Sequence, residues 1–313
     1  MLCVQREAPG VLGSSSQLPF APIGVNPECG IFKLHTVEGS SLSNIANNVL
    51  CGVGFVVTAF LLWGCQKRIA AVGRVEFRAL LATYLISLLL QLLTGGALLE
   101  QGTQAIGALT AIHCGIVASL FWVLLWYAFT TIQVLEDGQT ASILVRGTGA
   151  DLENISTYGW GYGGPLRTQI MHIGQFAFFF VTMFIALATA FGFTSAFGSL
   201  SNPPDALRNV PLFVLTSIWP GVAAILSFVI IVWVVLHVLH ERRPFWIYLG
   251  AAIAFCVAQV FRLSPVGVSI CESSNHRVDG TFIATFLETV SIVAMYYGWA
   301  DMTKASWDDS ALT

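Results

Sequence analysis

Residues 271–309 read CESSNHRVDGTFIATFLETVSIVAMYYGWADMTKASWDD. This stretch predicts a polar loop, a membrane span over about 281–300 and a short acidic tail. Tyr297 and Trp299 lie near the end of the span, as amphipathic rings do at a membrane–water boundary. One carboxylate, that of Glu288, lies inside the span, where a charge is expensive and usually has a partner. The stretch therefore predicts a membrane protein with a polar group inside its helix bundle.

The composition of the whole chain supports a polytopic membrane protein. Of its 313 residues 56% are hydrophobic and 10% are charged, whereas a soluble domain carries about 25% charged residues. The mean hydropathy is +0.76. The net charge of −3 provides no basic field for nucleic acid, so we expect no nucleic-acid partner.

Seven apolar runs are long enough for an α-helix to cross the hydrocarbon layer, which takes about 20 residues. They cover about 45–65, 77–99, 105–133, 168–193, 210–237, 245–265 and 281–300. The predicted fold class is therefore all-α, with seven transmembrane helices in a domain over 44–303. We expect an irregular tail over 1–43, an acidic tail over 304–313 and a kink at Pro220, whose ring removes a backbone donor.

The distribution of lysine and arginine predicts the orientation. Most of the 14 basic residues fall on one side of the predicted spans. They are Lys67, Arg68, Arg74, Arg78, Arg146, Arg167, Arg242, Arg243 and Lys304. The positive-inside rule places that side in the cytosol. The N-terminus is then lumenal or outside, and the C-terminus is cytosolic.

Two cysteines fall in lumenal segments under this topology. Cys29 lies in the N-terminal tail and Cys271 lies between spans six and seven. Since the lumen is oxidising, a disulfide between them would pin the tail to the bundle, with Cys3 as a competing partner. The same pair of cysteines is also consistent with free thiols. The cysteines within the spans are interpreted as small apolar residues.

Polar residues at membrane depth are the candidate functional groups. Arg262 in span six and Glu288 in span seven lie at similar depths, so adjacent antiparallel helices would let them meet. One interpretation is a structural ion pair that locks the two spans, and the other is a polar face that contacts a partner's membrane helix. The remaining intramembrane polar residues favour interhelical hydrogen bonds. They are Gln91, His113, His172 and Gln259.

The sequence contains no familiar catalytic or cofactor-binding pattern. His237 and His240 are one helical turn apart and resemble the start of a metal site, but neighbouring Arg242 and Arg243 disfavour a cation there. No lysine lies inside a span, and no phosphate loop or nucleophile elbow is found. We therefore expect no enzyme activity, no cofactor and no metal. A heptahelical receptor and an intramembrane metal-dependent hydrolase remain as alternatives.

Several short motifs keep a fixed order relative to the spans. Residues 71–74 read AVGR after span one and 135–138 read LEDG after span three. Before and through span seven come Cys271, His276, Asp279, Gly280, Phe282, Ala284 and Thr285. With these motifs the chain resembles the fungal chitin synthase export chaperone family over most of 45–309. The segment 147–167 resembles an insertion, and Glu288 replaces an uncharged polar residue of the family pattern.

The resemblance implies a dedicated chaperone of the endoplasmic reticulum membrane. Such a protein binds a polytopic chitin synthase and enables its export to the cell surface, with onward travel beside its client left open. For such a role we hypothesise a polar face, serving client contact or interhelical bonding, that comprises Gln259, Arg262, Asp279, Gly280 and Glu288. We further hypothesise a cytosolic export signal at Trp307, Asp308 and Asp309, which would recruit vesicle coat components. A diverged paralogue that exports another membrane enzyme is an alternative.

Overall fold

The fold is taken from a computed structural model of the chain. It describes residues 34–35, 41–42, 44–68, 73–95, 104–132, 165–191, 193–194, 196, 209–238, 242–263, 269–270, 273–274, 278 and 280–303.

Seven helices of the described part are long and apolar enough to cross a membrane. They are α1 (Ile45–Lys67), α2 (Arg74–Thr94), α3 (Gln104–Thr131), α4 (Pro165–Phe191), α5 (210–238), α6 (Arg242–Leu263) and α7 (Gly280–Met302). Each coincides with one predicted span, which confirms the all-α, seven-helix prediction. Their orientation in the membrane stays a prediction.

The helix ends differ from the predicted span ends by a few residues. α1 continues to Lys67 and α6 begins at Arg242, because a helix can extend from hydrocarbon into the polar boundary, where charged side chains are solvated. α2 ends at Thr94, earlier than predicted, and Gly95 follows as its C-terminal cap. α4 ends at Phe191, two residues before the predicted end.

α5 contains two π-helical turns. The first, Val214–Ile218, directly precedes the helical segment Trp219–Trp233, which has Pro220 in its first turn. Proline donates no backbone hydrogen bond, so the carbonyl one turn earlier loses its usual partner and the helix widens locally. The predicted interruption at Pro220 therefore takes this form. The second turn, Val234–Val238, has no comparable sequence signal.

Two very short strands precede α1. Strand β1 (Leu34–His35) pairs antiparallel with β2 (Ser41–Leu42), with Leu34 opposite Leu42. This short hairpin departs from the irregular tail that the sequence predicted for these residues.

The best-packed core lies toward one end of the bundle. This end is called the basic end, because its described cations are Lys67, Arg68, Arg74, Arg78, Arg242 and Arg243. Phe77 of α2 stacks on Trp299 of α7 with ring centroids 5.1 Å apart. The hydroxyls of Tyr127 in α3 and Tyr248 in α6 lie 2.9 Å apart. Aromatic contacts thus join four helices at this end.

The packing of α6 against α7 generates a first prediction. A Cβ added at Gly298 would lie 2.7 Å from Cε2 of Tyr248, and the Tyr248 ring is held by its hydroxyl contact with Tyr127. We expect Gly298→Ala to lower the free energy of unfolding by about 1–3 kcal/mol, as overpacking does. Thermal unfolding of the purified protein in detergent measures the change.

Gly250→Ala in α6 is the matched control. A Cβ there meets no atom within 4 Å, and alanine favours a helix more than glycine does. Its unfolding midpoint should equal or slightly exceed that of the unmodified protein. Equal midpoints for both variants would contradict the close approach at Gly298.

Candidate functional site

An ion pair joins α6 to α7 at the end of the bundle opposite the basic end. Nη2 of Arg262 lies 2.9 Å from Oε1 of Glu288 and 3.0 Å from its Oε2. Glu288 is eight residues into α7, about 12 Å along the helix axis. Its side chain is 14% exposed and that of Arg262 is 36% exposed. The structure therefore brings together the two charged residues that the sequence placed at similar depths.

Gln259 completes this polar cluster. Its Nε2 donates to Oε1 of Glu288 at 3.3 Å. Gln259 and Arg262 are three residues apart in α6 and therefore share a helix face. Two side chains of one helix thus hydrogen-bond the carboxylate of the next, which compensates for much of the cost of removing it from water.

A second network joins α7 to α1 and α2 in the same half of the bundle. Oγ1 of Thr285 accepts a hydrogen bond from Nε2 of Gln91 at 2.7 Å. The same oxygen lies 3.0 Å from Oδ1 of Asn47. All three side chains are buried. Thr285 therefore connects an amide of α2 with an amide of α1.

Two more threonines extend this network along α7. The hydroxyls of Thr289 and Tyr84 lie 3.0 Å apart, and Nδ2 of Asn44 donates to Oγ1 of Thr281 at 3.4 Å. Thr281, Thr285 and Thr289 are spaced four apart, so they form one row on α7. This threonine row, residues 281, 285 and 289, meets α1 and α2, while Glu288 meets α6.

The threonine row was not predicted as a site. Its spacing of four residues is visible in the sequence and is the signal that indicates a polar helix face. The partners Asn47 and Tyr84 could not be identified in that way, because they depend on which helices are neighbours.

An apolar cleft runs between α1 and α7 beside the threonine row. Its volume is about 220 Å³. It is lined by Leu50, Val53, Gly54, Val57, Phe286, Thr289, Val290 and Val293. Gly54 allows the close approach at its base, since a Cβ there would meet Oγ1 of Thr289 at 3.1 Å.

The other intramembrane polar residues differ in their contacts. Gln91 makes the interhelical hydrogen bond described above. His172 lies 3.2 Å from Oε1 of Gln175 in its own helix, and Gln175 donates to Thr83 of α2 at 3.0 Å. His113 is buried, and its Nδ1 has no hydrogen-bond partner among the described residues.

Among the other predicted site residues, Gly280 is described and is buried at the start of α7. The rest lie outside the described residues: Cys3, Cys29, Cys271, Asp279, Trp307, Asp308 and Asp309. The proposed disulfide and export signal therefore stay predictions.

The metal-site alternative receives no support from the part of the chain that is described. His237 is exposed near the basic end, and its ring stacks on Trp233 with centroids 6.1 Å apart. His240 lies outside the described residues. Across the described ranges no group of three or more His, Cys, Asp or Glu side chains is arranged to hold a metal ion.

Comparison with known proteins gives a consistent result. A family model described as chitin synthase export chaperone matches residues 3–152 and 154–313. A chitin synthase export chaperone of Coccidioides immitis is 24% identical over 306 residues, covering 97% of this chain and 81% of that protein. One of Gibberella zeae is 22% identical over 290 residues, covering 93% and 76%.

A third relative has a similar extent of coverage. A chitin synthase export chaperone of Kluyveromyces lactis is 21% identical over 289 residues, covering 91% of this chain and 80% of that protein. No solved structure matches the chain. These matches confirm the resemblance that the sequence motifs indicated.

The threonine row generates a second prediction. Thr285→Val removes the hydroxyl that both buried amides approach, so we expect unfolding to become easier by about 1–2 kcal/mol. Thr58→Val is the control. Thr58 is equally buried, but its hydroxyl bonds only to the Gly54 carbonyl of its own helix. If both variants unfold at the same temperature in detergent, the interhelical role of Thr285 is wrong.

Proposed function

Because the chain belongs to the chitin synthase export chaperone family, we propose that it binds a chitin synthase in the membrane of the endoplasmic reticulum and enables its folding and export. The observation that carries the proposal is the family match, which extends over almost the whole chain. The seven membrane-spanning helices supply the setting, because a chaperone for a polytopic enzyme must meet its client within the bilayer. The proposed role is binding, without catalysis.

The cluster of Gln259, Arg262 and Glu288 is the proposed client-contact face. The hydrogen bonds of Arg262 with described residues all use Nη2, whereas a guanidinium carries five N–H donors. More than a third of the Arg262 side chain is exposed. The other donors can therefore engage a polar group on a client's membrane helix, where an unsatisfied polar group is costly.

Incomplete packing of the client would supply such groups. A polytopic enzyme whose helices are not yet assembled exposes side chains that later bond to each other, and the chaperone would bond them in the interval. Asp279 and Gly280, directly before and at the start of α7, are included in this proposed face.

Two further elements complete the proposal. A Cys29–Cys271 disulfide would tie the N-terminal tail to the loop before α7 in the oxidising lumen. The tail residues Trp307, Asp308 and Asp309 would contact vesicle coat components from the cytosol. Travel of the chaperone with its client to the plasma membrane is part of the same hypothesis.

The deletion of this protein tests the proposed function directly. We expect a tagged chitin synthase to remain in the endoplasmic reticulum and cell-wall chitin to fall, because the client cannot leave without its chaperone. Microscopy and chitin staining measure both effects, and an unrelated plasma-membrane protein is the control cargo. Normal traffic of every chitin synthase would contradict the proposal. Retention of another membrane enzyme instead would identify a paralogue with a different client.

A substitution tests the proposed client-contact face. Glu288→Leu removes the carboxylate that holds Arg262 and Gln259, so we expect synthase export to fall severalfold. Glu288→Gln keeps hydrogen-bond acceptors and should retain part of the activity. Tyr297→Phe, at an exposed position of the same helix, should export normally. Normal export by Glu288→Leu at normal chaperone abundance would show that the polar cluster does not contact the client.

A further inference from the structure

Two arginines lie in the first two turns of α2, on an exposed side of the helix. Arg74 and Arg78 are four residues apart and lie on the same side of the helix. Ala82, Leu85 and Leu89 continue that side toward the bilayer interior. Leu89 is 46% exposed. This side of α2 therefore carries two positive charges at its start and an apolar surface further along.

These two cations have no acidic neighbour within ion-pair distance among the described residues. Like charges one turn apart on a helix repel each other. Glu76, the nearest acidic residue in the sequence, is 3% exposed. It lies about 160–200° around the helix from both arginines, so its carboxylate does not belong to their face. Arg74 and Arg78 therefore form a site of uncompensated positive charge.

Arg78 also carries a buried donor without an acceptor. Its Nε is inaccessible to solvent and has no hydrogen-bond partner in the described part of the chain. A buried unsatisfied donor is costly, and one on a charged group more so. The terminal nitrogens of Arg78 are not buried in this way, so they are the part of the guanidinium that an oxygen from outside the protein can reach.

The packing of α1 against α2 shows where Arg78 lies along the axis of the bundle. Sγ of Cys65, in the last turn of α1, lies 4.0 Å from the Arg74 carbonyl oxygen. Arg78 is one turn further into α2, about 6 Å deeper along the axis. Trp63, two residues before Cys65 in α1, is 51% exposed. Nζ of Lys67 lies 3.5 Å from the centroid of the Trp63 ring. Exposed indoles of this kind mark the headgroup layer of a membrane.

We propose that Arg74 and Arg78 bind the phosphate of an anionic phospholipid, whose acyl chain lies along Ala82, Leu85 and Leu89. The terminal nitrogens of Arg78 donate to the phosphate, for which a planar guanidinium supplies paired donors. The charge of Arg74 adds preference for a headgroup with net negative charge. A lipid is favoured over free phosphate because the donors lie directly above an apolar, exposed helix face.

Lipid retention by the purified full-length protein tests this site. Phosphatidylserine and phosphatidylcholine with identical acyl chains are titrated in detergent, and native mass spectrometry measures how much of each lipid stays bound. The protein should retain phosphatidylserine preferentially. Arg78→Gln should reduce its retention about tenfold, as loss of a charge-assisted hydrogen bond does. Arg78→Lys, which keeps the charge but lacks the planar guanidinium with its paired donors, should give an intermediate value.

Arg243→Gln is the matched control. It removes one positive charge from the same end of the bundle, but Arg243 is 77% exposed and already lies 3.6 Å from Asp301. Its lipid retention should match that of the unmodified protein. Inorganic phosphate and glycerophosphoserine, which lack acyl chains, should not displace the lipid at equal concentration.

Three results would overturn the proposal. They are equal retention of the two lipids, unchanged retention by Arg78→Lys and Arg78→Gln, and displacement by the soluble phosphates. If Arg78→Gln does not fold, the headgroup preference and the Arg78→Lys value still decide the outcome. The measurement contains no client, so it is independent of the export assays.

Discussion

The carboxylate of Glu288 imposes the strongest constraint on this molecule. A charge about 12 Å along a membrane helix must be neutralised by protein groups, because hydrocarbon supplies none. Arg262 and Gln259 do so from α6. Their bonds fix the register of α6 against α7, and that register places Gly298 against the ring of Tyr248 further along the same interface. Polar pairing at one end and close packing at the other are thus parts of one helix pair.

α7 presents a different chemistry on each side. Its threonine row bonds to α1 and α2, and Glu288 bonds to α6. Toward the basic end the same helix turns Trp299 onto Phe77. Interhelical hydrogen bonds in membrane proteins contribute modest energies individually. Several of them on one helix, followed by aromatic packing, give α7 a defined position among its three neighbours α1, α2 and α6.

The sequence predicted the seven spans because length and hydropathy are sufficient to identify a membrane helix. It also predicted that Arg262 and Glu288 lie at similar depths, since α6 and α7 are consecutive and antiparallel. It did not predict the Thr285 contacts, because Asn47 and Gln91 are more than 190 residues away in the chain. The second π-helical turn of α5 was also missed, since no proline precedes or follows it as one follows the first. Local composition thus determines the elements, and their neighbours determine the polar network.

The partial exposure of Arg262 bears on how such a bundle could hold a client. A fully buried ion pair with every donor satisfied would have no hydrogen-bonding capacity left for a second protein. Thr285 has no such capacity left, since it is fully buried and its hydroxyl already contacts Gln91 and Asn47 of its own bundle. Arg262 keeps hydrogen-bonding capacity, because one nitrogen bonds to Glu288 while over a third of the side chain is exposed. The same carboxylate can therefore hold the bundle together and orient a guanidinium toward another membrane helix. This division favours a role in stability for the threonine row and a role in client binding for Arg262.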